Sequence, residues 1–493
     1  MPNPFSADVR EIDSLIQSGN GAAAQSRIKA WFDGDLERNQ IATAAGLAWR
    51  VGLPQLGIKA LNPLVRPSSR KPATATEAEK IEYAGCLVKI GAAEEALALV
   101  TGIAAAEHPR VLLVQAFAYI AQWDYHSART YLAQYVRHGK VRAYDRLVGK
   151  VNLAEAMIHD GKIDKARMAL RDLLHDASLR RLHLVFGKTL ELAAQFAIEH
   201  GRYAEADKYL QQAGKVLGAT NGLDIFFVEK WSAISAARQT KGGPEALAKL
   251  ATVRTKAEAI GHWETVRDCD KWLALVTGDE SRLRHLYHGT PHAAFRRDLA
   301  KLPAAPKDWG TEYLWQVTPG KAKSVLDLTD RSPWLDGPLR PDQLLHRLLV
   351  ALTSDFYRPF RVATLYARLY PGEHYNPESS PHRVHEAVKR LRNFLADEKL
   401  GLEILEAGGQ YRLSAEKPFS IRVPLRTLVP TKKNSFLNLV RNRWPDAPFS
   451  VNEVSELLKV SSRTALSQVK TAVEEGALVK EGKGPATRYR LAS

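Results

Sequence analysis

His382 and His385 stand three residues apart, a spacing that sets both imidazoles on one face of a helix. Such a pair can begin a metal site, but no third ligand follows at a matching interval, and a phosphate or base contact suits the two rings better. The fifteen histidines are otherwise scattered, and no His-Glu-x-x-His occurs. Gly187-Lys188-Thr189 has the ending of a phosphate-binding loop. That loop's first glycine would fall at Leu182, and the surrounding pattern is helical rather than strand–loop–helix. Cys86 and Cys269 lie far apart without a second ligand nearby, which excludes a disulfide framework and a cysteine zinc site and favours a reducing compartment. No catalytic set rises above background, so the expectation is a protein that is not an enzyme and uses neither cofactor nor metal.

What does recur is a polar, basic helix face. Around the apolar stripe Val384, Val388, Leu391 and Leu395 stand His382, Arg383, His385, Glu386, Lys389, Arg390, Arg392 and Asn393. A second stripe, Leu466, Val469 and Val473, leaves Arg463, Thr464, Ser467, Gln468 and Thr471 outside. These are side chains that read base edges: arginine pairs with guanine, glutamine or asparagine with adenine, and Glu386 can accept from cytosine N4. The plainer reading is a solvated helix face, which suits Arg392 or Lys470, and a strand-edge charge, which suits Arg412.

The elements around both stripes share one grammar. Residues 342–353 and 360–369 read as helices, and Ser380 with Pro381 starts a third. Leu402–Leu405 and Gln410–Ser414 then form a hairpin around Ala407-Gly-Gly409. Three helices and a hairpin describe a winged helix. The stretch 382–395, HRVHEAVKRLRNFL, with the closing AGGQYRLS, resembles the output domain of OmpR/PhoB-type regulators over about residues 312–415. The resemblance implies major-groove reading by the third helix and a wing against the backbone, although no receiver domain is attached.

Further on, residues 434–443 predict another first helix, and Phe449-Ser450-Val-Asn-Glu453 is a capping box preceded by an apolar residue. Ser461 caps the next helix, and Gly476 ends it. Ala477–Val479 and Arg488–Leu491 read as strands, joined by the basic, glycine-rich turn 480–487 that holds Lys480 and Lys483. The run VSSRTALSQVKTAVEEGALVKEGKGPATRYRL is similar to the DeoR-like bacterial winged helix-turn-helix families, and Arg488 belongs with its wing.

The first half is built otherwise. Gly19, Gly52, Gly91, Trp123, Gly161, Gly201 and Gly242 recur at intervals of 33, 39, 32, 38, 40 and about 41 residues, each with a small residue some five positions later. That period suits two helices and two turns, whose apolar stripes are buried only by stacking on neighbours. Gly-Lys-Ile-Asp-Lys-Ala (161–166) and Gly-Arg-Tyr-Ala-Glu-Ala (201–206) resemble tetratricopeptide repeats, over roughly residues 8–280. The prediction is a right-handed α-solenoid of about seven hairpins that binds a protein or peptide, a second copy of itself included, or serves as a spacer. Between the halves, prolines and Trp309, Trp315 and Trp334 mark a hinge with a small β-element at 312–317 and 324–328; the tryptophans read as packing anchors.

Composition agrees with this division. With 493 residues, 45% of them hydrophobic, the chain is globular and too long for one core. Lys and Arg exceed Asp and Glu by 70 to 54, and residues 340–493 hold 25 basic against 16 acidic groups. Positive charge is therefore about threefold denser where DNA contact is expected. No stretch reaches the ~18 apolar residues of a membrane span, and a cytoplasmic, nucleoid-associated protein is expected.

The overall expectation is a mainly α chain: a solenoid over 1–288, a linker with a β-element over 289–340, a winged helix over 341–418, a linker over 419–433 and a second winged helix over 434–493. Such a chain would be a sequence-specific regulator on double-stranded DNA. The alternatives are a protein scaffold whose winged helices bind proteins, and a replication or partition factor.

Overall fold

The computed structural model describes residues 4–66, 73–218, 224–321, 325–329, 339–340, 343–425, 440, 443–444, 447–458, 461–474, 478–482, 484 and 487–491. The chain divides into two compact units, residues 1–425 and 426–493. It is mainly helical, with an N-terminal repeat array and small sheets confined to the C-terminal part.

Among the described residues, sixteen helices, from α1 (Pro4–Gln17) to α16 (Glu280–His288), pair in order into eight hairpins, one more than the glycine spacing predicts. The turns follow a shared rule. Gly91 closes α5 (Glu77–Ile90) at φ +92°, and Gly161 and Gly201 take the same left-handed backbone. Trp123 fills the equivalent slot at φ +61°, a conformation costly for a side chain with a Cβ. The small residues five positions on, Ala96, Ala128, Ala166 and Ala206, are all fully buried. Gly187 sits inside α11 (His183–Glu199), where a Cβ would come within 2.5 Å of Leu217 on α12 (Tyr203–Leu217). The Gly-Lys-Thr run is thus helix, as expected, and its glycine serves close packing.

A short helix, α17 (Ala293–Ala300), follows, and the first winged helix is continuous with this array. It comprises α18 (Leu344–Leu352), a short strand β3 (Phe360–Arg361), α19 (Val362–Leu369), α20 (Ser380–Asp397) and the hairpin of β4 (Glu403–Ala407) and β5 (Gln410–Ser414). β3 and β4 flank β5, both antiparallel. The hinge strands β1 (Glu312–Thr318) and β2 (Val325–Asp327) do not pair with each other. Both pair with β6 (Phe419–Pro424), β1 antiparallel and β2 parallel, so residues expected to open a linker form the central strand of a sheet. The cause is burial: Phe419, Ile421 and Val423 are at most 3% exposed and join the winged-helix core. Ser380 also differs from expectation. It is the first helical residue, and its hydroxyl accepts the Asn376 amide at 2.9 Å instead of capping the helix.

Two sets of contacts lock this module to the solenoid. Arg267 on α15 (Trp263–Thr277) is fully buried and donates through Nη2 to both oxygens of Asp355, at 2.8 and 2.9 Å. Beside it the Phe356 amide donates to Gly289 O at 3.1 Å, and the Phe356 ring stacks on Trp315 at 4.3 Å. Farther along, Arg361 donates to the Lys89 carbonyl at 2.6 Å, and Glu95 accepts the Tyr375 amide at 3.2 Å. Trp309 stacks on Tyr287 at 4.1 Å, an anchor of the kind expected of the hinge tryptophans; Trp334 lies outside the described residues.

In the second unit, α21 (Val451–Leu458) begins at a reciprocal box. Ser450 N donates to Glu453 Oε2 at 2.7 Å, and Glu453 N donates to Ser450 Oγ at 3.3 Å. Ser461 Oγ accepts the Thr464 amide at 3.2 Å and starts α22 (Ser462–Glu474). β7 (Leu478–Glu481) pairs antiparallel with β8 (Arg488–Leu491), and Phe449 bridges to Tyr489 through two 2.8 Å bonds. The buried stripe of α22 is Ala465, Val469 and Ala472, with Leu466 and Val473 only half-buried, a rotation away from the expected stripe. The expected helix over 434–443, the linker from residue 426 on and Gly476 fall outside the described residues except at Val440 and Arg443.

Candidate nucleic-acid interface

α20 buries Val384, Ala387, Val388, Leu391, Phe394 and Leu395 against the winged-helix core. The helical period then turns His382, His385, Lys389, Arg390, Arg392 and Asn393 outward, with Glu386 at the edge of the row; Lys389, Arg390, Arg392 and Asn393 lie at or beside its most open part. Beside the helix, Gly408 (φ +58°) and Gly409 (φ +72°) form the two-residue turn of the β4–β5 hairpin, which matches the sheet twist. Arg412 is exposed on β5.

Two arginines of this set have other work. Arg383 bonds to Glu373 and, at 3.0 Å, to the Tyr366 hydroxyl, and its guanidinium lies 3.8 Å from the Tyr370 ring centroid. Glu373 holds that guanidinium charged well above its ordinary range. Arg383 therefore fixes the start of α20 to the preceding helix and loop rather than standing free for a base. Arg392 donates twice to the Ile404 carbonyl, at 2.7 and 3.1 Å, and ties the helix to the wing. His382 and His385 acquire no third ligand: among the described residues no group of three His, Cys, Asp or Glu is placed to hold a metal.

In the second unit Arg463, Thr464 and Ser467 are exposed along α22, and Lys480 and Arg488 are exposed on the paired strands. Gln468 is half-buried, with an enclosed Oε1 that has no hydrogen-bond partner among the described residues. The Thr471 side chain and Lys483 lie outside the described residues.

Two features carry no sequence signature. A cleft of about 440 Å³ separates the start of α20 and the wing tip (Pro381, His385, Gly408, Gly409) from Pro54 and Gln55 of the solenoid. A larger channel of about 730 Å³ runs along the inner wall of the repeats and reaches Arg358 of the winged helix. Burial holds the His159 imidazole on that wall down at about 4 and pushes the Glu191 carboxyl up to about 7. One hint was present: Lys188, Glu191, Gln195 and Glu199 repeat on one side of the largely apolar α11, and all four line the channel.

No protein-family model matches the chain, and no curated protein matches it. Among solved structures, a similar chain is that of the "Crystal Structure of Rap Protein Complexed with Competence and Sporulation Factor". The alignment has 14% identity and a TM-score of 0.39, and covers 80% of this chain and 99% of that one. The helical-repeat architecture stands on the geometry given above. Among the described residues no helix is long and apolar enough to cross a membrane.

Proposed function

We propose that this chain is a regulator that binds double-stranded DNA through its two C-terminal modules, with the solenoid as the part that receives a regulatory partner or ligand. The observation that carries the reading is the outward row His382, His385, Lys389, Arg390 and Asn393 on α20, flanked by a two-glycine wing. A helix of this kind fits the major groove, with Lys389 and Arg390 on phosphate or guanine and Asn393 suited to adenine. Arg463, Thr464 and Ser467 would read a second half-site, with Lys480 and Arg488 on the backbone, and two tethered modules raise each other's effective concentration. The resemblance of 382–395 to OmpR/PhoB-type output domains supports the same reading. If α20 reads DNA, the solenoid wall across the cleft from His385 and the wing tip would limit access to the first module.

The test uses the full chain in fluorescence anisotropy with random duplex across a salt series, followed by selection from a duplex library. Affinity falling steeply with salt and an enriched motif are expected. Lys389→Ala with Arg390→Ala should reduce the salt slope by about 2 while leaving helicity intact. Absence of binding at low salt, or unchanged affinity in the double variant, removes α20 from the interface and leaves a protein scaffold as the better account.

A further inference from the structure

We infer that the corner of the solenoid between α5 and α6 (Ala93–Val100) is an autoinhibitory latch, which holds the reading edge of the first winged helix against the repeats. The inference rests on the DNA reading above and names how that site is regulated.

The latch is made of a few polar contacts. Arg361 donates to the Lys89 carbonyl at 2.6 Å, and the Thr364 hydroxyl donates to the Ile90 carbonyl at 3.4 Å. Glu95 accepts the Tyr375 amide on both oxygens, at 3.2 and 3.3 Å, and its pairing with Arg66 fixes it to the repeats. Tyr375 belongs to the loop that leads into α20, so Glu95 helps to set where that helix lies. Gly91 admits the close approach: a Cβ there would come within 2.3 Å of Thr364 Oγ1, and its φ of +92° favours glycine. Ala363 is buried among residues of the solenoid core.

What the latch covers is the edge that would read DNA. Pro381 and His385 on the first two turns of α20, with Gly408 and Gly409 at the wing tip, face Pro54 and Gln55 across the cleft. A recognition helix meets base edges through its N-terminal residues. The cleft's 440 Å³ correspond to a space roughly 8 Å across, whereas the major groove alone is about 12 Å wide. A duplex therefore reaches His385 and the wing together only after the two modules part at this end.

The other end of the joint is built to stay closed. There Arg267 and Asp355 are enclosed and the Phe356 amide bonds Gly289, whereas Arg361, Thr364 and Tyr375 are only half-buried. Contacts that keep their access to water open at lower free energy than enclosed ones. DNA binding selects the open form, so the apparent affinity falls with the open fraction. Lys89 and Arg358, one from each side of the latch, both line the solenoid channel, so a partner filling that channel meets both modules.

The experiment locks the latch covalently. A Cβ on Gly91 would lie 3.6 Å from that of Thr364, a separation that a disulfide spans. The full chain carrying Gly91→Cys and Thr364→Cys is titrated with random-sequence duplex, oxidised and then reduced with dithiothreitol, by fluorescence anisotropy across a salt series. The native Cys86 and Cys269 are buried, and the wild-type chain with and without reductant is the control. The second module is the same in both forms, so a difference between them reports the first. Reduction should tighten binding at least about tenfold and steepen the salt slope, because further phosphates are engaged. Equal affinity and slope in the two forms overturn the latch and leave the DNA reading standing. No binding at low salt by the wild-type chain or by either form overturns the DNA reading, and the latch with it. Should the cysteine pair fail to fold or to join, Glu95→Ala with Arg361→Ala takes its place: tighter binding than wild type supports the latch, and unchanged or weaker binding overturns it.

Discussion

Replacing Arg267 by methionine probes the joint between the repeats and the first winged helix. The Arg267 side chain is fully enclosed, and the Asp355 side chain is 5% exposed. The guanidinium also bonds Glu264 at 2.8 Å and lies near the Phe295 and Tyr357 rings. Methionine fills much of the space and removes the charge, leaving a buried carboxylate without a cation. Breaking such a pair costs about 3–5 kcal/mol. Asp355 keeps the Tyr357 and Arg358 amides, at 2.9 and 3.1 Å, which places the expected loss near the lower end, about 3 kcal/mol. Urea unfolding of the full chain, followed by tryptophan emission and circular dichroism with separate transitions allowed for the two units, measures it. Adding Asp355→Asn neutralises the stranded charge while its side-chain oxygen still accepts both amides, so the double variant should recover about half the loss. A loss under ~1 kcal/mol for Arg267→Met, or a double variant no better than the single one, would refute the idea that this pair fastens the modules.

Arg383→Ala should lower stability by about 1–2 kcal/mol, from the lost stacking on Tyr370 and the bonds to Glu373 and Tyr366. Arg383→Lys should restore less than half, since an ammonium has no planar fork; full rescue by lysine in urea titrations would mean that only charge matters. Acid should loosen the same joint through His285, which is enclosed by Tyr313, Phe356 and Tyr357 and held down to about 4, chiefly by burial. The folded value lies below the unfolded ~6.5, so the unfolded chain takes up its proton first. Its contribution is therefore complete above about pH 6.5 and is lost as pH falls toward 4, roughly 3 kcal/mol in all. His285→Phe should flatten that stretch of the stability profile, and an unaltered slope would exclude His285 as its source.

Much of the architecture was legible from local rules. A glycine turn followed by a small residue repeats because each hairpin needs a left-handed backbone and a close helix contact, and both needs are met within a few residues. The sequence rules even located the turn at Trp123, where no glycine stands. The polar row on α20 was equally plain, because a helix of known period with one apolar stripe turns its remaining residues outward. On α22 the same logic slipped. Alanines at 465 and 472 carry the buried stripe, and an apolar pattern that weighs leucine and valine above alanine points to the neighbouring face.

By itself, then, the sequence determined the helical repeat, the starts of the last two helices at Ser450 and Ser461, and the concentration of positive charge toward the C-terminus. These depend on φ preferences, helical period and composition, which act over a few residues. Tertiary structure alone decided that β6 enters between β1 and β2, that Arg383 and Arg392 brace their helix rather than stand free of it, and that Arg267 meets Asp355 across 88 residues of chain. Pairings of this kind are set by which surfaces meet once the solenoid has curved and the winged helix has packed against it. No local preference encodes them, because each partner's environment exists only after the chain between them has folded.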